Sequence, residues 1–212
     1  MKRFVLRAAL FDFGGVIADE GFKNGLHEIA RANGLPAEEF EETARELIHE
    51  TGYITGTGTE ASFWESLRSR FGITGSDEEL RSTILKGFIV RKWMIDVVEA
   101  LKSKGIRLAV LSDQTDWLDE LDRRTGFSRH FEQVFNSYRL GRTKREKELF
   151  LHVLGVMHLV PDEVLFVDDT EGHVKRAVEV GLHAIHYQGK EDFLRRLSRL
   201  YPEIAPELER LY

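Results

Sequence analysis

Cysteine is absent from the chain, which excludes disulfides, thiolate nucleophiles and cysteine-ligated zinc together. The four prolines are scattered, and no apolar run is long enough to span a bilayer. The opening MKRFVL carries the charge of a secretory leader. However, Arg7 and Asp12 interrupt the apolar stretch that follows, and no small-residue cleavage pattern appears. The expectation is a cytoplasmic protein without a membrane partner. A basic excess is missing too: 30 Lys and Arg against 36 Asp and Glu give a net charge of −6. That balance argues against a nucleic-acid partner held by phosphate neutralisation. From Asp19 to Glu50, nine acids face three bases, so this stretch repels a polyanion.

What remains is a globular composition, 42% hydrophobic and 31% charged over 212 residues, enough for one core with a modest insertion. Five β-rich runs stand out: Val5–Phe11, Ile106–Leu111, Gln133–Phe135, Val164–Val167 and Ala184–Tyr187. The segments RAALF, IRLAVL and VLFV are nearly continuous apolar runs, as strands covered on both faces of a parallel sheet require. Helical patterns separate most of them. WMIDVVEALKSKG runs into Gly105, TEGHVKRAVEVG into Gly181 and KREKELFLHVLG into Gly155, each glycine placed to end a helix with positive φ. The closing EDFLRRLSRLYPEIAPELERLY reads as an amphipathic helix with a proline-broken tail.

Strand–helix alternation from about residue 88 predicts a Rossmann-like, doubly wound parallel α/β fold. The interval between the first two strands is helical in pattern and too long for a crossover. It predicts an inserted α-helical cap over residues 18–88, on a core formed by 1–17 and 89–212. Ligands of open α/β sheets sit beyond the carboxyl ends of the strands, so an insertion leaving from there hangs over the site.

The strand ends carry the polar residues: Asp12, then Ser112 and Asp113, then Asp168 and Asp169. The stretch RTKREK brings Lys144 to the start of a helix. Taken singly, a strand-end aspartate or Ser112 is accounted for as a helix N-cap. Taken together, acids converging on one sheet edge repel one another unless a cation joins them, and oxygen donors suit a hard ion such as Mg²⁺. Cations at a helix N-terminus oppose the macrodipole, so Lys144 calls for a bound phosphate or a neighbouring carboxylate.

In order, FDFGGV, VLSD, GRTK and FVDD resemble the four motifs of the haloacid-dehalogenase (HAD) superfamily, most of whose members are Mg²⁺-dependent phosphatases. TGYITGTGTEASFW resembles the cap segment of the branch that holds bacterial glucose-1-phosphate phosphatase and the N-terminal phosphatase-like domain of epoxide hydrolases. The resemblance implies that Asp12 is the nucleophile accepting the phosphoryl group, which splits one hard displacement into two easier ones. It implies that Ser112, with Asp113 beside it, holds the substrate phosphoryl group, and that Lys144 neutralises charge on Asp12 and the phosphoryl oxygens. It further implies Mg²⁺ bound by Asp12, the Gly14 carbonyl and Asp169, with Asp168 binding directly or through water.

Three positions depart from that pattern. The residue two after the nucleophile is commonly an aspartate that protonates the leaving oxygen; Gly14 keeps the backbone carbonyl and loses the acid. General acid–base assistance is typically worth about 10²–10⁴-fold, and its loss falls hardest on alkoxide leaving groups. His49, Glu50 and Tyr53 in the cap are candidate replacements. Arg145 stands where the family usually has a loop-stiffening proline, and Asp113 where asparagine is commoner.

Three functions are compatible with these residues. The first is a phosphatase for small phosphorylated metabolites. The second is a metal-independent haloacid dehalogenase-type hydrolase, since halide departure needs no proton. The third is a HAD-fold binding or regulatory module with impaired turnover. The adjacent Asp168 and Asp169 favour a metal site, hence the first. A monomer and a homodimer fit equally well. Other features read as structure. TGTGT lacks the strand and spacing of a phosphate loop and leads into a cap helix starting near Thr59, with Phe63 and Trp64 inward. The two histidines of HAIH are poorly placed for zinc, and the remaining histidines show no ligand spacing. PAEEFEETARELIHE is a cap helix burying Phe40, Ala44, Leu47 and Ile48.

Overall fold

The computed structural model describes residues 5–211. One sheet of five parallel strands runs in the order β3-β2-β1-β4-β5. The strands are β1 (Ala8–Phe11), β2 (Arg107–Ser112), β3 (Gln133–Asn136), β4 (Val164–Asp168) and β5 (His183–His186). Central β1 pairs on both sides, with Leu10 opposite Ala109 of β2 and Phe166 of β4. Successive side chains enter opposite cores: Ala9, Phe11, Val110 and Val167 on one face, Ala8, Leu10, Ala109 and Phe166 on the other. Burial on both faces is why these strands read as unbroken apolar runs. β1 is shorter than its sequence run, because Val5 is exposed and the ladder frays into single contacts from Arg7 to Glu163 and Arg107.

Between β1 and β2 lie α1 (Gly21–Ala32), α2 (Ala37–Glu50), α3 (Glu60–Phe71), α4 (Asp77–Lys86) and α5 (Lys92–Ser103). Gly25 lets α1 approach α4 closely, since a Cβ there would fall 2.5 Å from the Ile84 Cα. Thr59 with Ser62, and Ser76 with Glu79, form reciprocal caps that start α3 and α4. Phe63 and Trp64 are fully buried, as are Phe40 and Ala44, with Ile48 nearly so and Leu47 half-buried. The chain leaves and re-enters the sheet at one place: the Asp19 amide bonds to the Ile89 carbonyl, and the Arg91 amide to that of Ile17.

The rest alternates regularly through α6 (Trp117–Thr125), the short α7 (Ser137–Leu140), α8 (Lys147–Met157), α9 (Glu171–Val180), α10 (Lys190–Leu200) and α11 (Ala205–Leu208). Helices α8 and α9 cover one face, and α5, α6 and α10 the other. Trp64 of α3 stacks on Trp117 of α6 at 5.9 Å, and the Ser137 hydroxyl donates to the Ile54 carbonyl. The helical segment is thereby packed onto the sheet's carboxyl edge. Among the described residues, no helix is long and apolar enough to cross a membrane.

Two expectations are corrected. Gly105 and Gly181 have φ of 78° and 99°, but Gly155 does not end its helix. Helix α8 continues to Met157, and His158 takes the left-handed turn at φ 55°. Nothing lies within 4 Å of a Cβ built on Gly155, so neither packing nor backbone strain calls for glycine there. Lys144 is not at a helix start either. It sits in the turn before α8, whose cap is Glu146. Its charge is met by neighbouring carboxylates, those of Asp12 and Asp168.

Candidate active site

Because β1 lies between β2 and β4, the carboxyl ends of these strands form the crevice where the sheet order reverses, the usual ligand position in such sheets. Asp12 leaves β1, Ser112 and Asp113 end β2, and Asp168 and Asp169 end β4. Lys144 enters from the α7–α8 turn with no exposed side-chain surface. Its Nζ lies 2.9 Å from Asp12 Oδ2 and 2.6 Å from Asp168 Oδ2. Asp12 Oδ1 accepts hydrogen bonds from the Ser112 hydroxyl at 2.8 Å and the Phe13 amide at 2.7 Å. Asp168 Oδ1 accepts from the Thr170 amide at 2.7 Å. The structure thus gathers all the site residues expected from sequence, Gly14 included, around one cavity or directly beneath it.

Asp113 does something the sequence did not disclose. Its carboxylate accepts the backbone N–H of Lys144, at 2.9 Å to one oxygen and 3.1 Å to the other. Thus the acid that replaces asparagine holds in place the loop that lacks its proline. His173 on α9 completes the cluster, with Nδ1 3.3 Å from both Asp168 oxygens and Nε2 3.9 Å from Asp113. No spacing rule singles out His173, because α9 brings it to the site only through the fold.

The electrostatics show a deficit of positive charge. Burial pushes the Asp12 carboxyl well above the usual range; Lys144 opposes this, while Asp168 and Asp169 reinforce it. Burial, with Glu20 and Asp168, pushes Asp169 up to about 6. For Asp168, the burial penalty is outweighed by Lys144 and His173, which hold it below the usual range. Lys144 is raised, because three carboxylates overcome its own burial. One oxygen from each of Asp12, Asp168 and Asp169 lies within 4.8 Å of the others. Three carboxylates against one ammonium leave oxygen donors and uncompensated negative charge that fit a hard divalent cation. Gly15, at φ 76°, makes room for the Asp169 carboxylate: a Cβ there would sit 2.0 Å from Asp169 Oδ2.

A cavity of about 620 Å³ opens above this floor, between the sheet edge and helices α1 and α2. Of the three candidate donors, only His49 lines it. Tyr53 is buried and donates to Asp116, while Glu50 is exposed elsewhere. His49 is pushed down to about 4 by burial and by the charges of Arg145 and His173, so it is a neutral base near neutrality rather than an acid. The carboxylate nearest the missing side chain is Glu20. A Cβ built on Gly14 would lie 3.0 Å from Glu20 Oε2 and 3.3 Å from the Phe88 ring. The space of an aspartate at position 14 is therefore already filled by a carboxylate from the start of α1. Arg45 of α2 holds the other oxygen of Glu20 at 3.0 Å.

The sequence profile of the haloacid dehalogenase-like hydrolase family matches residues 6–181. The chain belongs to that family. It is 26% identical to rat bifunctional epoxide hydrolase 2 over 95% of its length, and spans about two fifths (40%) of that longer protein. It is 24% identical to D-ribitol-5-phosphate phosphatase of Bacteroides thetaiotaomicron, covering 92% of this chain and 98% of the relative. A HAD family enzyme from the same bacterium, crystallised with magnesium and inorganic phosphate, superposes with a TM-score of 0.72 at 22% identity. That match covers 92% of this chain and 99% of the other. The family assignment makes the chain a hydrolase of HAD type, and the parallel sheet with its helical insertion is the fold of these neighbours.

Proposed function

We propose that the protein is a Mg²⁺-dependent phosphatase for small phosphorylated metabolites, with Asp12 as nucleophile and residues 18–88 as the cap over its site. The observation that carries this reading is the trio Asp12, Asp168 and Asp169, within 4.8 Å at a cavity floor, with Lys144 bonded to two of its members. Asp12, Asp169 and the Gly14 carbonyl would hold the ion. Asp168, whose oxygens are engaged by Lys144 and the Thr170 amide, contributes through water and by charge. When bound, Mg²⁺ supplies the positive charge that lets a carboxylate meet a phosphate dianion.

The remaining work belongs to the chain. Asp12 attacks phosphorus and the bond to the leaving oxygen breaks. Lys144 stays paired with Asp12 and balances charge on the phosphoryl oxygens, and Ser112 orients the attacking carboxylate. The Glu20 carboxylate, beside the space left by Gly14, passes a proton from solvent water to the leaving oxygen. It then takes one from the water that attacks the acyl phosphate, freeing Asp12 and inorganic phosphate. The relative named D-ribitol-5-phosphate phosphatase supports this reading. A panel of phosphorylated metabolites and one haloacid, each assayed with and without Mg²⁺, tests it. Phosphate release that requires Mg²⁺ is expected; halide release without metal, or release of neither, refutes it.

A further inference from the structure

The cavity above Asp12 has two walls that differ in charge balance. On the helical wall, Lys23 and Arg45 are both committed, Lys23 to Glu41 at 3.6 Å and Arg45 to Glu20 and Glu41. On the sheet-side wall stand Arg145, next to the buried Lys144, and Arg176, on α9 beyond His173. Among the described residues, neither guanidinium has an ion-pair or hydrogen-bond acceptor. The acids beside them are engaged elsewhere: Glu146 accepts the Thr143 amide, Asp113 the Lys144 amide, and Glu179 pairs with Lys147 at 2.7 Å while feeling the Arg176 charge only at longer range. The Asp113 bonds to the Lys144 amide pin the backbone from which Arg145 reaches into the cavity. His49, which lines the same cavity from α2, feels the Arg145 charge as well as that of His173, so Arg145 acts across the cavity.

We infer that Arg145 and Arg176 form a second anion subsite, and that the substrate carries a carboxylate or second phosphate at the end remote from the transferred phosphoryl group. This deepens the phosphatase reading and rests on it for the position of the reacting phosphate. The cavity, at about 620 Å³, has room for a metabolite with two charged ends. Lys144 and the carboxylate trio serve the reacting phosphate, which leaves the two arginines for another anion. Guanidinium groups match carboxylate and phosphate oxygens through paired N–H donors.

Substrates that differ only at the far end supply the test. The pairs are 3-phosphoglycerate with glycerol 3-phosphate, 6-phosphogluconate with sorbitol 6-phosphate, and fructose 1,6-bisphosphate with fructose 6-phosphate. Dissociation constants are measured by calorimetry in Mg²⁺ buffer on Asp12→Asn protein, so that binding is read without turnover. At least one doubly charged member should bind about tenfold more tightly than its singly charged twin, the effect of one close charge pair in a partly screened site. The first two pairs report a carboxylate and the third a phosphate. Adding Arg145→Gln and Arg176→Gln should bring the ratio to about one with an unchanged thermal midpoint, since neither side chain supports the fold. Equal affinity within every pair, or a preference that survives both substitutions, overturns the inference. A wild-type protein that binds these anions selectively yet releases no phosphate would instead fail the phosphatase reading alone.

Discussion

At the cavity floor, Lys144 and Asp168 have no exposed side-chain surface and lie 2.6 Å apart. On the helical wall, Arg45 is also paired, with Glu20 and Glu41, yet 45% of its side-chain surface remains in water. Both are networks of cations and carboxylates, but they obey different physics. Buried charges out of reach of solvent must be neutralised by geometry, so each floor residue depends on its neighbours. Half-exposed charges are screened and exchange partners cheaply. The floor is therefore suited to one invariant chemical step, and the wall to adjusting what is bound.

The sharpest way to break the contrast is to remove the Lys144 ammonium from the floor. Lys144→Met leaves Asp12 and Asp168 buried without their counterion, and stability should fall by about 3–5 kcal/mol in urea denaturation. A loss below ~1 kcal/mol would place the floor in the same class as the wall.

The next prediction concerns Glu20, which belongs to the wall by sequence but to the floor by its reach toward Gly14. Glu20→Gln should lower kcat on alkyl phosphates by about 10²–10³-fold, within the usual range of general acid–base effects. The loss on p-nitrophenyl phosphate should be smaller, because that leaving group departs unaided; equal losses would show a merely structural role. Gly14→Asp alone should bring no gain, because Glu20 already fills the space. Combined with Glu20→Ala, it should recover alkyl phosphate turnover.

His49 supplies a smaller effect with a defined sign. Its folded-state ionisation lies at about 4, against about 6.5 in an unfolded chain, so the unfolded state takes up the proton first. The stability that His49 contributes is thus complete above pH ~6.5 and is lost as pH falls toward 4. Arg145 and His173 are the charged groups that face it. His49→Gln should flatten this acid-side slope in thermal unfolding; an unchanged slope would locate the acid sensitivity elsewhere. The smallest effect belongs to Arg45→Ala, which should cost under about 1 kcal/mol of stability, as exposed pairs do.

The same contrast explains what could be read from the residues alone. The sheet, its strand ends and the floor carboxylates were legible because buried strands impose unbroken apolar runs and their ends are fixed in sequence. Glu20 was not, because its role depends on a space that only the packing of α1 against Phe88 defines. Arg145 and Asp113 were visible as two separate departures; that Asp113 anchors the turn before Arg145 requires a contact across 31 residues of chain. Gly155 misled because glycine at an exposed helical position looks identical, in sequence, to a C-terminal stop.

The most direct test of the central claim is Mg²⁺-dependent hydrolysis of p-nitrophenyl phosphate by wild-type protein and Asp12→Asn, side by side. The wild type should turn over only with the ion. The variant should retain its circular dichroism spectrum and lose roughly 10⁴-fold or more in kcat, as removal of a covalent nucleophile does. Comparable turnover by the folded variant, or wild-type turnover indifferent to Mg²⁺, would contradict the account.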